Sequence, residues 1–308
     1  MIADVTKNLN WIAVDWGTSR LRLWLMDAAG KILDHRTSDQ GMASLSPDGF
    51  EPALLALLGD ALPENGHVPV ICCGMAGSRQ GWAEAPYVRT PCAPPSIGNA
   101  TQVATGDPRL QVFLLPGLEQ QSPADVMRGE ETQIAGFLST EPDFDGVLCL
   151  PGTHCKWAHI SAGEVVSFRT FMTGELFALL SGQSVLRHSV STGGWDDDAF
   201  RTAVGEAMAR PAAVSASLFS IRAESLLNGM PADTARARLS GLLLGLELGG
   251  ARPYWLGRDI AVLGESGIAA AYCNALAAQA AQVRSVPGQH MTLNGLRAAR
   301  AHIGEFKP

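Results

Sequence analysis

One pattern occurs twice in this chain, and it limits the fold more than composition does. Trp11–Asp15 is an apolar run that ends on an acid, and Gly17-Thr18-Ser19-Arg20 makes a small-residue turn. In the next run Leu21, Leu23 and Leu25 alternate with Arg22, Trp24 and Met26, the period of a strand. A hairpin turn at Ala29-Gly30 then leads into a third strand. From Gly146 the order recurs: strand Gly146–Leu150, turn Pro151-Gly152-Thr153-His154-Cys155-Lys156, strand Trp157–Ile160, turn Ser161-Ala162-Gly163, strand Glu164–Arg169. Two antiparallel meanders of the same order predict two similar half-molecules, which 308 residues can accommodate.

The rest of the chain alternates helix and short strand. Helices are predicted over Glu51–Leu62, Asp125–Ser139, Gly174–Leu186, Asp197–Arg210, Ala213–Leu227, Ala232–Leu248 and about Met291–Ile303. Short buried strands are predicted at Pro69–Cys73, Val112–Leu115 and Asp259–Leu263, and Pro86–Pro95 reads as irregular. The 125–139 helix places its acids in the early turns, where the helix dipole favours them.

Composition removes several classes of function. At 46% hydrophobic and 17% charged the chain can bury a sizeable core. A net charge of −7 argues against nucleic acid, which needs a basic face. No apolar run reaches the roughly 18 residues that span a bilayer, and Leu239–Gly250 is broken by glycines and Glu247. MIADVTKNLN has no apolar core of a signal peptide. The six cysteines lack metal-ligand spacing and read as buried, reduced thiols of a cytoplasmic protein.

Three glycine turns each follow a short apolar strand: DWGTSR, PGTHCK and GESG. Glycine lets backbone N–H groups approach an anion with no Cβ in the way. Thr18, Ser19 and Thr153 add hydroxyl donors, and Asp15, at a strand end beside the first turn, is placed to hold Mg²⁺. The acidic run after Trp195 reads as a solvated turn and helix cap.

DWGTSRLRLW, LPGTHCKW and LGESGIAAAY resemble the first phosphate, second phosphate and adenosine motifs of the sugar kinase, actin and Hsp70 superfamily. With GMAGSRQGWAEAPY, DVMRGEETQ and FMTGELF, the chain more narrowly resembles the 2-dehydro-3-deoxygalactonokinase family over nearly its full length. The resemblance implies an α/β fold of two RNase H-like (actin/hexokinase-type) domains with a nucleotide cleft between them. Residues 1–138, joined by 289–308, would form the first domain and 139–288 the second. It implies transfer of the γ-phosphate of ATP to the C6 hydroxyl of 2-dehydro-3-deoxy-D-galactonate in galactonate breakdown.

On that reading Asp15 organises Mg²⁺, Gly17-Thr18-Ser19 and Gly152-Thr153 hold phosphates, and Gly264 and Gly267 let the adenosine pack against a helix start. Lys156, the one lysine within a motif, would neutralise phosphate charge. Arg79 is the first candidate for the substrate carboxylate, since arginine grips carboxylates with a fork of donors. Arg128 and Arg169 stand in reserve, with Ser78 and Gln80 for hydroxyls and Trp82 for the carbon chain. Asp125, Glu130 and Glu131 are the candidate bases, and the sequence does not choose among them. The expected partner is a small sugar acid, with no nucleic acid and no membrane, in a chain that could form a homodimer. The alternative is a polyphosphate or nucleotide hydrolase of the same superfamily. The low basicity weighs against it, because a polyphosphate channel should be strongly positive.

Overall fold

The computed structural model describes residues 2–264 and 266–303. Glu265 of the GESG turn and residues 304–308 of the expected first domain lie outside the described residues. In chain order the first half runs α1 (Ile2–Asn8), β1 (Trp11–Trp16), β2 (Leu21–Met26), β3 (Ile32–Ser38), α2 (Phe50–Leu58), β4 (Val68–Gly74), β5 (Val88–Arg89), β6 (Thr101–Val103), β7 (Leu110–Leu114), β8 (Leu118–Gln121), β9 (Ala124–Met127) and α3 (Glu130–Leu138). The second runs β10 (Gly146–Leu150), β11 (Cys155–Ser161), β12 (Glu164–Phe171), α4 (Thr173–Gly182), α5 (Asp197–Ala209), α6 (Val214–Leu227), α7 (Ala232–Gly250), α8 (Arg252–Trp255), β13 (Ile260–Gly264), α9 (Ser266–Ala277), β14 (Val283–Pro287) and α10 (Met291–Ala301).

The chain divides into two units. One takes the chain up to Phe144, Ser161–Ser167 and the chain from Gly288 on; the other takes Asp145–Ile160 and Phe168–Pro287. Their sheets follow one plan. The first has the order β3-β2-β1-β4-β7-β6 and the second β12-β11-β10-β13-β14. In each, the opening strand pairs antiparallel with the next and parallel with the strand that enters later, β4 or β13. The repeated meander is therefore the first half of the same α/β sheet, built twice. The hairpins turn where expected: Gly30 has φ +80°, and Ala162 and Gly163 have φ +51° and +76°, the paired positive values of a tight hairpin.

Both faces of β2 are covered, apart from the half-exposed Arg22. Ile12, Val14, Leu21, Leu23 and Leu25 pack with Phe50, Leu54 and Leu58 of α2. Trp11, Ala13, Trp24 and Met26 pack with Leu293 and Leu296 of α10. The C-terminal helix thus returns to cover the second face of the first sheet. It crosses α3 so closely that a Cβ on Gly295 would clash with the Thr132 carbonyl, and one on Gly136 with that of Met291. In the second unit Gly241 and Gly245 of α7 allow the same backbone approach to α5. None of the helices among the described residues is long and apolar enough to cross a membrane.

One element is corrected. No helix starts at Asp125. That residue lies on β9, antiparallel to β8, in a hairpin whose partner positions are Gln120 and Asp125. The helix begins five residues later, at Glu130. Pro123 and the strand-forming Val126 hold the preceding segment extended, and Gly129, at φ +107°, makes the corner.

Candidate functional site

In the first unit the chemistry gathers at the carboxyl ends of the parallel strands β1 and β4, the usual place for a site in a sheet of this kind. The register sets Asp15 beside Cys73 and Trp16 beside Gly74. Gly74 is at φ +86°, and a Cβ there would stand 2.6 Å from the Trp16 carbonyl oxygen, so only glycine fits. The turn after Asp15 is closed by Gly17 N–H donating to the Arg20 carbonyl at 2.8 Å. Its back is fastened: the carbonyls of Gly17 and Thr18 accept from the N–H groups of Met42 and Ala43, at 3.0 and 2.9 Å. Thr18 and Ser19 remain exposed on the other side. Asp15 is mostly buried and ion-paired with Arg22 across the β1–β2 ladder.

The start of α3 adds a second acid. Glu131 is 1% exposed. Its carboxyl accepts from Gly129 N–H at 2.6 Å and from the Thr132 hydroxyl at 3.0 Å. Burial, and then the neighbouring charge of Glu130, raise it to about 7, against the lowering effect of those hydrogen bonds. Glu130 is half-buried and accepts from Arg128 N–H at 3.2 Å. Burial raises the Cys73 thiol well above its ordinary range, followed by the charges of Asp15, Cys72 and Glu131. Gly74 lies between the two acids: a Cβ on it would stand 3.5 Å from Asp15 Oδ1, and one on Gly129, which donates to Glu131, would stand 3.6 Å from Gly74 Cα.

The segment from Gly74 to Tyr87 wraps around Arg128. The guanidinium donates to the Ala85 carbonyl at 2.8 Å and lies over the Tyr87 ring, 4.3 Å from its centre. Its Nε and Nη1 are buried with no hydrogen-bond partner, and so is the hydroxyl of Ser78. A Cβ on Gly77 would come within 2.9 Å of Nη1, so the loop is fitted to this arginine. Arg79 and Gln80, by contrast, are exposed. Trp82 packs on the core beside Trp16 and Phe50, with ring centres 6.0 and 6.1 Å away.

The second unit carries the other turn. Gly152, Thr153 and His154 are exposed between β10 and β11. The start of α4 rests on this turn: Glu175 N–H donates to the Thr153 carbonyl at 2.9 Å, and a Cβ on Gly174 would clash with Gly152. The Glu175 carboxylate also meets His154 Nε2 at 2.7 Å. Lys156 is buried at 4% exposure, with Nζ donating back to the His154 carbonyl at 3.3 Å. It is a lysine turned under the turn rather than a solvated hairpin residue. Arg169 is exposed on β12 and belongs to this unit, while the other carboxylate candidates belong to the first.

A cavity of about 680 Å³ opens beside the turn, lined by Gly152, Thr173, Gly174, Phe177, Gly267 and Tyr272 among others. A Cβ on Gly267 would meet open space, and one on Gly264 would touch Pro151 and α9 at ordinary distances. Trp195 and Asp197 reach the cavity edge, and Asp196 caps α5 by accepting from Ala199 N–H at 3.0 Å. Sequence reasoning missed Glu247. It noted the residue only as an interruption of an apolar run, yet a lone acid among leucines of one helix is the signal of a buried polar anchor.

Comparison with known proteins bears on the whole chain. The sequence profile of the 2-keto-3-deoxy-galactonokinase family matches residues 15–299. A protein of Rhizobium meliloti (strain 1021), described as a probable 2-dehydro-3-deoxygalactonokinase, is 41% identical over 95% of this chain and 97% of its own length. The 2-dehydro-3-deoxygalactonokinase of Escherichia coli K12 is 33% identical over 94% of this chain and 96% of its own. The crystal structure of a Sinorhizobium meliloti protein given the same enzyme name superposes with a TM-score of 0.88, at 39% identity, over 97% of this chain and 98% of that one.

Proposed function

Because the chain belongs to the 2-keto-3-deoxy-galactonokinase family, we propose that it transfers the γ-phosphate of ATP to the C6 hydroxyl of 2-dehydro-3-deoxy-D-galactonate. The observation that carries this reading is the pairing of two fastened glycine turns with a carboxylate beside the first and a nucleotide-sized cavity beside the second. Phosphoryl transfer asks for in-line positioning and charge neutralisation and little else.

Asp15 fits Mg²⁺: it is a hard oxygen donor at a strand end, and this ion commonly takes one or two carboxylates with substrate phosphates completing its shell. When bound, the ion would offset the charge that develops on the phosphates. The exposed Thr18 and Ser19 on one turn, and Gly152 and Thr153 on the other, supply donors to phosphate oxygens. Lys156 steadies the second turn from below and adds positive charge there. The cavity takes the adenosine, with the open space at Gly267 admitting it to the start of α9.

Among the acids, Glu131 is the best proton acceptor for the sugar hydroxyl. A general base works best with a pKa near the working pH, and its carboxyl is held at about 7. Asp125 drops out with the helix that was expected to present it. The substrate carboxylate falls to Arg128, whose Nε and Nη1 have no hydrogen-bond partner and whose Nη1 lies against Gly77, next to the unpartnered Ser78 hydroxyl, in preference to the exposed Arg79.

The test is ADP release with Mg-ATP alone, with 2-dehydro-3-deoxy-D-galactonate, with its gluconate epimer, and with polyphosphate. Strong stimulation by the galactonate acid, with a product phosphorylated at C6 by ³¹P and ¹³C NMR, is the expected result. Stimulation by both epimers keeps the kinase and widens its substrate. Phosphate release from polyphosphate, with no response to either acid, overturns the reading in favour of a hydrolase.

A further inference from the structure

Glu247 lies in the last turn of α7 and is 1% exposed. Trp157 Nε1 donates to one carboxylate oxygen at 2.7 Å and the Tyr272 hydroxyl to the other at 2.8 Å. The side chains of Cys155 and Thr173 also hydrogen-bond to it. A carboxylate offers about four lone-pair positions, so these donors saturate it. Cys149, Cys155 and Glu247 do place one ligand atom each within 4.8 Å of one another. A metal there would have to displace those donors and ionise thiols that burial pushes upward, so the cluster is a hydrogen-bonded one.

The donors come from three segments. Cys155 and Trp157 sit on β11, directly after the Gly152-Thr153 turn; Thr173 is the first residue of α4; Tyr272 is on α9. Each segment contributes to the cavity. Thr173 and Tyr272 line it themselves, and Gly152 lines it from the turn that β11 leaves. Burying a carboxylate costs several kcal/mol of solvation, which apolar packing of the same volume would avoid. What it gains here is a side-chain tie that joins α9 to the turn and α4, which already meet each other through Glu175 N–H and the Thr153 carbonyl.

We propose that Glu247 is the positioning residue of the nucleotide pocket: through Trp157, Thr173 and Tyr272 it sets the spacing of the phosphate turn, α4 and α9. It does not touch the nucleotide. The inference rests on the reading of this cavity as the nucleotide site.

Two variants of the full chain test it. Glu247→Gln keeps the shape but points an amide N–H₂ at a donor, so at least one of the bonds to β11, α4 or α9 is lost. Tyr272→Phe removes one donor and leaves the carboxylate and packing in place. Isothermal calorimetry with ATP should show a dissociation constant raised about tenfold for Glu247→Gln and about threefold for Tyr272→Phe, the range expected for losing a charge-assisted hydrogen bond. The KM for ATP should rise in step, while kcat and the KM for the sugar acid stay within about twofold. A merely structural role would lower melting temperature and the active fraction, which reduces kcat and leaves both KM values alone. If Glu247→Gln does not fold, Tyr272→Phe decides. An ATP dissociation constant unchanged in every folded variant overturns the inference and leaves the kinase reading intact. A wild-type protein that binds no ATP overturns both.

Discussion

Glu131 and Glu247 are equally buried, each 1% exposed, and burial raises both carboxyls, yet the protein holds them in opposite ways. Glu131 is satisfied only by its own helix start, from Gly129 N–H and Thr132, with the like charge of Glu130 beside it. Glu247 receives side-chain donors from β11, α4 and α9. The first arrangement leaves an acid that can gain or lose its proton at little structural cost. The second fastens an acid into a frame. Two units with the same strand order thus use a buried glutamate for different purposes. The first unit is built to change charge, and the second is built to hold shape.

The sharpest way to break this division is Asp15→Asn. If the first unit carries the charge chemistry, kcat should fall about a thousandfold, in line with removing a main electrostatic stabiliser of the transition state. The KM for ATP should move far less, because the cavity belongs to the second unit. Circular dichroism and melting temperature should stay near wild type, since asparagine keeps the volume and a polar partner for Arg22. A large rise in the KM for ATP with kcat preserved would reverse the roles of the two units.

Glu131→Gln sharpens the comparison by pH. With its folded-state pKa near 7 and an ordinary value of 4.5, Glu131 binds its proton more tightly in the folded protein than in the unfolded one. Its contribution is therefore complete below about pH 4.5 and is lost as the pH rises toward 7, by an amount on the order of 3 kcal/mol at most. Urea unfolding at pH 5 and pH 7.5 should show this loss in the wild type, and the glutamine variant should lack it. As the proton acceptor, the deprotonated form is also the active one, so kcat should fall off below about pH 7 in the wild type. The variant should lose that limb together with about a hundredfold of rate. Equal slopes of kcat with pH in the two proteins, with the difference in unfolding retained, would show that Glu131 is a buried acid with no part in the transfer.

Much of this was legible in the sequence, for definite reasons. The two meanders announce themselves because glycine turns and period-two strands are local signals, and Asp15 is visible because an acid ends an apolar strand. Asp125 misled because MRGEETQ has true helix-start residues while the strand before it, Ala124–Met127, is set by pairing with β8, a non-local contact. What covers Trp24 and Met26 has no local sign, because α10, which packs on them, is far away in the chain. The burial of Lys156 has no local sign for the same kind of reason: nothing in a hairpin sequence says that its lysine turns inward. Burial of Glu131 against half-burial of Glu130 depends on how α3 meets its neighbours, and adjacent glutamates carry no sign of it.

The smallest expected effect concerns the arginines of the first unit. Arg79 has the more suggestive sequence context, but Arg128 has the geometry: stacked on Tyr87, tied to Ala85 by one nitrogen, with Nε and Nη1 left unpaired. Lysine cannot reproduce a planar fork, so Arg128→Lys should raise the KM for the sugar acid about tenfold while keeping its charge. Arg79→Ala should raise it by no more than about twofold, since an exposed cation contributes little through screened solvent. Neither change should alter the KM for ATP, because both residues belong to the first unit and the cavity to the second. Should Arg79→Ala prove the costlier of the two, the orphaned nitrogens of Arg128 serve the loop around Tyr87 instead. The substrate would then be held at the exposed edge of the first unit, by a residue that orders only when the acid arrives.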